Sequence, residues 1–206
     1  MKSSRAVQLL AEMLLLLVVP VFALAGNIDI VRAAQAQVGV TVRYDPAYRT
    51  LKYPGGDIPL ERGVCTDVIV RALRTARALD LQKLLHQDLK AHWDAYPHQR
   101  RWGLDEPDPN IDHRRVPNLM TYFTRAGFRV KPGRDVVSYL PGDIVAWDLG
   151  RGILHIGVVS DMKAVTGAPL VVHNIGAGAR EEDILFRYTI IGQYRLPSAF
   201  LTPLNR

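Results

Sequence analysis

The residues of this chain best suited to chemistry are one cysteine and two histidines. Cys65 is the only cysteine, and it stands directly before residues 68–79, an apolar stretch with helical spacing. A helix N-terminus favours the thiolate by only about 0.3–2 kcal/mol, so a second cation is needed. His155 and His173 lie in β-rich runs downstream. We predict that Cys65 is a nucleophile with a depressed pKa, that His155 is its base, and that His173 orients His155.

Several polar residues are weaker candidates for the same site. Asn174 is an alternative to His173 as the orienting residue, although neighbouring side chains on a strand face opposite ways. Asp67, in the first turn of the predicted helix, either caps that helix or binds a substrate amine. A polar run in the long loop before residue 117 either lines a cleft or braces the loop: Asn110, Asp112, His113 and Arg114.

Other functions would use some of the same residues. A zinc hydrolase would take His155, His173 and a carboxylate such as Asp112 as ligands, but the chain has no His-Glu-x-x-His motif. An acyltransferase acting on lipids or wall-linked amines needs the same thiol chemistry. A non-catalytic wall-binding module would keep the fold alone. We expect a cysteine amidase or peptidase that forms a thioester on Cys65, with no metal and no cofactor.

The first 25 residues have the pattern of a secretory signal peptide. A basic start at Lys2 and Arg5 is followed by an apolar run over residues 13–24, which ends in the small-residue cleavage pattern Ala23-Leu24-Ala25. No later stretch is long and apolar enough to span a bilayer. We therefore predict export across the inner membrane to the periplasm or the outside, and a single domain over residues 26–206.

The charge of the chain constrains its partners. The formal net charge is +6, and it falls to +5 when the leader takes away Lys2, Arg5 and Glu12. A positive balance suits an anionic cell-wall or membrane-surface partner. The basic residues are scattered, so we do not expect nucleic acid as a partner. With a single cysteine the chain forms no internal disulfide, and we expect a monomer.

The pattern of elements changes along the chain. Asn27 is predicted to cap a short helix that ends at Gly39, and Asp80 to cap a helix after the one that follows Cys65. Pro117 suits the first turn of a further helix. From residue 140 onward the sequence has short β-rich runs, at 144–147, 155–160, 170–173 and 189–195. N-terminal helices packed on a C-terminal antiparallel sheet are an α+β fold.

Three local segments resemble the NlpC-type cell-wall cysteine peptidases of the papain-like superfamily: Tyr53-Pro54-Gly55-Gly56, Leu140-Pro141-Gly142-Asp143-Ile144-Val145 and His155-Ile156-Gly157-Val158-Val159. The resemblance implies a papain-like fold, with Cys65, His155 and His173 as the catalytic residues. It also implies that Tyr53 and the backbone N–H of Cys65 stabilise the oxyanion, and that peptidoglycan stem peptides are the substrate.

A second resemblance covers about residues 27 to 200. It rests on Gly-Val-Cys-Thr-Asp around Cys65, on Asn-Ile-Asp-His-Arg-Arg, on His-Ile-Gly-Val-Val-Ser-Asp and on His-Asn-Ile-Gly. These segments resemble a bacterial domain-of-unknown-function family, number 1287. That family name implies no activity of its own.

Overall fold

The computed structural model describes residues 19–97 and 101–197, with side chains from residue 27 onward. Four α-helices lie in these ranges: α1 Val19–Gln35, α2 Cys65–Arg77, α3 Leu81–Ala91 and α4 Val116–Arg125. The strands are β1 Arg43–Tyr44, β2 Arg62–Gly63, β3 Arg129–Val130, β4 Ile144–Asp148, β5 Leu154–Lys163, β6 Pro169–His173, β7 Arg180–Glu182 and β8 Thr189–Tyr194. Short 3-10 turns occupy Trp93–Ala95, Asp112–Arg114 and Val136–Ser138.

Local signals set the ends of three helices as the sequence predicts. α2 ends at Arg77 and is followed by Ala78, which has a left-handed backbone. The side chain of Asp80 then accepts the free N–H groups of Gln82 and Lys83 at the start of α3. Pro117 lies in the first turn of α4. At the starts of α3 and α4 the helix end is fixed by a residue that satisfies or removes an unpaired backbone donor, whereas at the end of α2 the N–H of Ala78 donates to the carbonyl of Arg74.

The first helix differs from its prediction. Asn27 does not cap it, because α1 already runs from Val19, and Asn27 is a buried residue inside the helix. α1 ends at Gln35, and a turn follows in which Gly39 has a φ of 79°. The predicted leader lies outside the described residues up to position 18. No helix of the described ranges is long and apolar enough to cross a membrane.

The sheet has six antiparallel strands in the order β3-β8-β4-β5-β6-β7. The four longer strands are those predicted from the sequence, so the α+β class is confirmed. The short strands β3 and β7, and the separate parallel pair β1–β2, have no alternating apolar pattern and were not predicted. Two-residue and three-residue strands carry too few side chains for such a pattern to be read.

The two faces of the sheet belong to two different cores. The helices pack on one face, where Ile156 and Val158 of β5 meet Val68 and Leu73 of α2. The opposite face carries a smaller cluster of Tyr139, Val145, Trp147, Val159, Val171, Ile184 and Leu185. Side chains alternate along a strand, so a residue next to Ile156 must point away from the helices.

Gly157 leaves the space that lets β5 and β6 lie close together. It pairs with His173, and a Cβ atom at this position would stand 2.6 Å from Cγ1 of Val171 and 3.1 Å from Cβ of His173. A methyl group here would therefore force the two strands apart next to His173.

We expect Gly157→Ala to lower the free energy of unfolding by about 1–3 kcal/mol, the usual cost of overpacking. Urea unfolding followed by circular dichroism measures this. Val165→Ala, at an exposed turn of the same hairpin, is the control and should leave stability within about 0.5 kcal/mol. Equal stability of the two variants would contradict the tight packing between β5 and β6.

Candidate functional site

Cys65 is the first residue of α2, and its position is fixed by a capping carboxylate. The backbone N–H of Val64 donates to Oδ2 of Asp67 at 2.7 Å. The N–H of Asp67 in turn donates to the carbonyl of Val64 at 3.2 Å. Asp67 therefore has the capping position considered from the sequence. The alternative, a bond to a substrate amine, does not suit a side chain that is only 4% exposed.

A buried ion pair holds that capping carboxylate. Nε of Arg114 lies 3.0 Å from Oδ1 of Asp67, and Nη2 lies 3.0 Å from Oδ2. Arg114 also donates to the carbonyls of Asp45 and Ala47, at 2.8 and 3.1 Å. One guanidinium thus connects the start of α2 with the loop after β1, which forms one wall of the site.

The rest of the predicted polar run braces the loop. Oδ2 of Asp112 accepts the N–H of Asp108 at 2.6 Å, and Oδ1 accepts Nη1 of Arg115 at 3.0 Å. Oδ1 of Asn110 accepts the N–H of Leu51 at 2.8 Å. His113 is buried, and burial lowers its pKa to about 4. Of this run, Arg114 alone lines the cleft described below.

The Cys65 thiol is held in its neutral form. Burial raises its pKa to about 12, and the charge of Asp67 acts in the same direction. The N–H groups of Ile156, Thr66 and Cys65 itself oppose the rise, as expected at a helix N-terminus, but they do not outweigh burial. The sequence-based prediction of a depressed pKa is therefore wrong for the unliganded protein.

His155 is also neutral. Its ring stacks on Trp147, with the ring centroids 5.8 Å apart, and its Nε2 lies 3.0 Å from Nδ1 of His173. Burial, and to a smaller extent the neighbouring His173, lower the pKa of His155 to about 3. The side-by-side placement of the two histidines is the one expected from their strands.

A carboxylate completes this row of polar groups. Nε2 of His173 lies 3.1 Å from Oε2 of Glu182 on β7, on an approach too bent for a regular hydrogen bond. Burial lowers the pKa of His173, whereas the charge of Glu182 raises it. Sequence reasoning missed Glu182, because β7 has no apolar alternation that would mark it as a strand.

Cys65 does not rest against the face that carries the histidines. His155, Gly157 and Val159 share the face of Trp147, whereas α2 packs against the face of Ile156 and Val158. The sulfur reaches β5 at the N–H of Ile156. The thiol therefore contacts the backbone of Ile156, whereas the imidazole belongs to the preceding residue and points to the other face. Within the described residues no hydrogen bond joins Cys65 to His155.

Asn174 follows the end of β6 and fixes the approach to Cys65. Its Nδ2 donates to the carbonyl of Gly63 at 2.9 Å, and its Oδ1 accepts the N–H of Gly176 at 3.2 Å. It makes no bond to His155, whose partner is His173. Asn174 is therefore placed to hold the segment before the cysteine and not to orient the imidazole.

Tyr44 and not Tyr53 is the tyrosine beside Cys65. Both tyrosines are 41% exposed, but the ring of Tyr53 packs edge-on against His86. Tyr44 pairs with Gly63 across the β1–β2 ribbon, two residues before the cysteine. Burial raises the pKa of Tyr44, and the adjacent Cys65 raises it further. The structure thus places Tyr53 against His86 and Tyr44 beside Cys65, an arrangement that sequence distance does not reveal because it depends on the parallel β1–β2 pairing.

Cys65 opens into a cleft of about 250 Å³. Its lining includes Tyr44 of β1, Pro46 of the loop after β1, and Arg101, Trp102 and Arg115. The remaining lining residues are Val64, Ile111, Arg114, Val116, Pro117 and Leu154. The guanidinium carbon of Arg115 lies 4.3 Å from the centroid of the Trp102 ring, a cation–π contact. Arg101 and Trp102 belong to the long loop, to which the sequence had assigned no role.

The residues considered for zinc are not gathered in one place. His155 and His173 bind each other, whereas Asp112 is bonded to Asp108 and Arg115 in the loop. Over residues 27–97 and 101–197 no three histidine, cysteine, aspartate or glutamate side chains are placed to share a metal ion.

Comparison with known proteins gives a family but no activity. The family described as "Domain of unknown function (DUF1287)" matches residues 31–196. The chain is similar to "Uncharacterized protein YijF" of Escherichia coli (strain K12), with 53% identity over 169 residues, which are 82% of this chain and 81% of that protein. No solved structure matches. The matched range contains Cys65, both strand histidines and Glu182.

The raised thiol pKa gives a direct test of the resting state. We expect the rate of iodoacetamide labelling of Cys65 to rise with pH toward a midpoint far above that of the urea-unfolded chain, which should lie near about 8.5. The physical reason is burial, which is lost on unfolding. Mass spectrometry of the labelled protein measures the rate. A folded-state midpoint at or below the unfolded value would show that a resting thiolate exists after all.

Proposed function

The chain belongs to the DUF1287 family, whose description assigns no activity, and we propose from its site that it is a cysteine amidase or peptidase. The observation that carries the proposal is the position of Cys65. This single thiol stands at a helix N-terminus, opens into a cleft, and touches the N–H of the residue that follows His155. A purely structural role for Cys65 would not account for its position in a cleft beside a pair of histidines.

The row of polar groups behind the site favours one tautomer of each imidazole. A carboxylate can only accept, so Glu182 favours a proton on Nε2 of His173. Nδ1 of His173 then accepts from Nε2–H of His155. This leaves the lone pair on Nδ1 of His155. An imidazole nitrogen with a free lone pair is a base, so Nδ1 of His155 can accept the thiol proton.

In the proposed reaction the proton leaves the thiol during attack and not before it. Nδ1 of His155 takes the proton while the sulfur bonds to the amide carbonyl carbon, which becomes tetrahedral. The imidazolium then donates that proton to the leaving amine, and a thioester remains on Cys65. Water hydrolyses the thioester with His155 again as base. The sulfur and Nδ1 must approach each other in this step, as catalytic pairs often do only when substrate is bound.

The oxyanion of the tetrahedral intermediate has two donors close to the sulfur. One is the backbone N–H of Cys65, the first residue of α2, and the other is the hydroxyl of Tyr44. Donors preorganised in a site that excludes water give a large part of the rate in acyl transfer. We assign to Tyr44 the stabilisation of the oxyanion that the resemblance implied for Tyr53.

The substrate and the compartment follow from the sequence. The leader pattern over residues 1–25 and the resemblance to NlpC-type peptidases both favour a cell-wall substrate, with peptidoglycan stem peptides as the most direct choice. A papain-like arrangement also agrees with the helix-start cysteine and the antiparallel sheet. The enzyme would then act on the periplasmic or outer side of the inner membrane.

The proposal predicts that the thiol and not a metal carries the reaction. Purified wall fragments are incubated with protein lacking residues 1–25, and products are identified by mass spectrometry. Cys65→Ser should reduce product formation by more than about 10³-fold. His155→Ala should cost about 10²–10⁴-fold, and more than His173→Ala, because His155 is the base itself. A chelator added to the wild type should change nothing.

The folding of each variant is checked by thermal unfolding, so that a loss of activity can be distinguished from a loss of folded structure. Activity that survives in Cys65→Ser but is lost with the chelator would overturn the thiol mechanism in favour of a metallohydrolase. Equal and small losses for both histidine variants would remove them from the reaction.

Glu182 gives a separate prediction, as a positioning residue that acts through His173. Glu182→Gln removes the charge that supports an imidazolium, so we expect turnover to fall by about tenfold and the acidic limb of the pH–rate profile to move to lower pH. The acidic limb moves to lower pH because His155, the base, then binds its proton less tightly. The matched control is Glu181→Gln, whose carboxylate lies on the helix face and bonds to Gln35 and Ser160. Identical pH profiles for both variants would contradict the role of Glu182.

A further inference from the structure

The arginine-lined wall of the cleft suits an anion. Arg101, Arg114 and Arg115 all line the cleft, and its described lining contains no carboxylate. Arg114 is neutralised by Asp67, and Arg115 shares one bond with Asp112. Arg101 donates to the carbonyl of Gly152 at 3.0 Å and has no ion pair among the described residues. The cleft next to the sulfur therefore has an uncompensated positive charge.

Trp102 gives this wall a particular shape. Its ring stacks against the guanidinium of Arg115, which holds the arginine in place beside the cleft. A planar ring next to two guanidinium groups offers an apolar surface and charged donors within one small volume. Guanidinium groups bind carboxylates through paired N–H donors, and they bind them most strongly where water is partly excluded.

We propose that Arg101, Trp102 and Arg115 form a carboxylate-binding subsite, so that the substrate is an amide with a free carboxylate close to the scissile bond. This inference rests on the proposed function for its use in catalysis, but the subsite exists independently of the reaction. The carboxylate lies between Arg101 and Arg115, and the adjoining carbon chain lies on Trp102. Binding at this position brings the carbonyl over Cys65.

Two alkylating reagents that differ in charge test the subsite without any substrate. Iodoacetate carries a carboxylate and iodoacetamide does not, and both react with the same sulfur. The ratio of their rates cancels the thiolate fraction, which is the same for both. We expect the ratio to be higher in the folded protein than in the urea-unfolded chain, to fall with added salt, and to drop roughly tenfold in Arg101→Gln/Arg115→Gln.

One single variant and one control keep the test independent of folding. Arg101→Gln alone removes a side chain whose one hydrogen bond to the described residues is to the carbonyl of Gly152, so it leaves the buried network intact. Arg187→Gln, an exposed arginine stacked on Tyr188, removes the same charge away from the cleft and should leave the ratio unchanged. A ratio that is equal in wild type, Arg101→Gln and the double variant overturns the subsite.

Peptide amides complete the experiment by separating this inference from the proposed function. Paired peptides that carry either a carboxylate or a carboxamide next to the scissile bond are offered to the wild type and to Arg101→Gln. Preference for the carboxylate that is lost in Arg101→Gln supports the subsite. Equal cleavage of both peptides overturns it and leaves the hydrolase standing. A charge-dependent alkylation ratio without cleavage of wall fragments or of either peptide leaves the subsite standing and overturns the hydrolase.

Discussion

The structure around the candidate site depends on the buried ion pair between Asp67 and Arg114. Asp67 caps α2 through the N–H of Val64, and Arg114 neutralises that carboxylate and binds the carbonyls of Asp45 and Ala47. Removing either partner would leave a buried charge uncompensated, at a cost of about 3–5 kcal/mol. The start of the cysteine helix, the long loop and the wall formed by residues 45–47 are thereby held in one arrangement.

The second constraint is the division of the sheet into two faces. The helices cover the face of Ile156 and Val158, so His155 and His173 lie on the face of Trp147. Cys65 meets β5 at the backbone of Ile156, close to the point where β6 ends. The nucleophile and its proposed base therefore come from opposite sides of the same strand, and the backbone between them sets how near they are.

Burial has a clear electrostatic consequence for this pair. It raises the pKa of Cys65 to about 12 and lowers that of His155 to about 3, so both groups rest neutral. A neutral pair is poorly reactive toward oxidants, which agrees with the export to an oxidising compartment that we propose. The proposed reaction then depends on proton transfer at the moment of attack, supported by Glu182 behind His173 and by the positive wall beside the sulfur.

The sequence by itself determined most of the longer elements and the reactive residue types. Helical spacing after Cys65, the cap at Asp80 and the alternating runs of the four longer strands are local patterns, so they could be read without tertiary structure. The pairing of His155 with His173 followed from strand periodicity. The tertiary structure decided what depends on non-local packing: which face α2 covers, the β1–β2 pairing that brings Tyr44 to the cysteine, and the placement of Glu182 and Arg101. It also decided the direction of the thiol pKa, because desolvation is a property of the packed interior and has no signature in the residues next to Cys65.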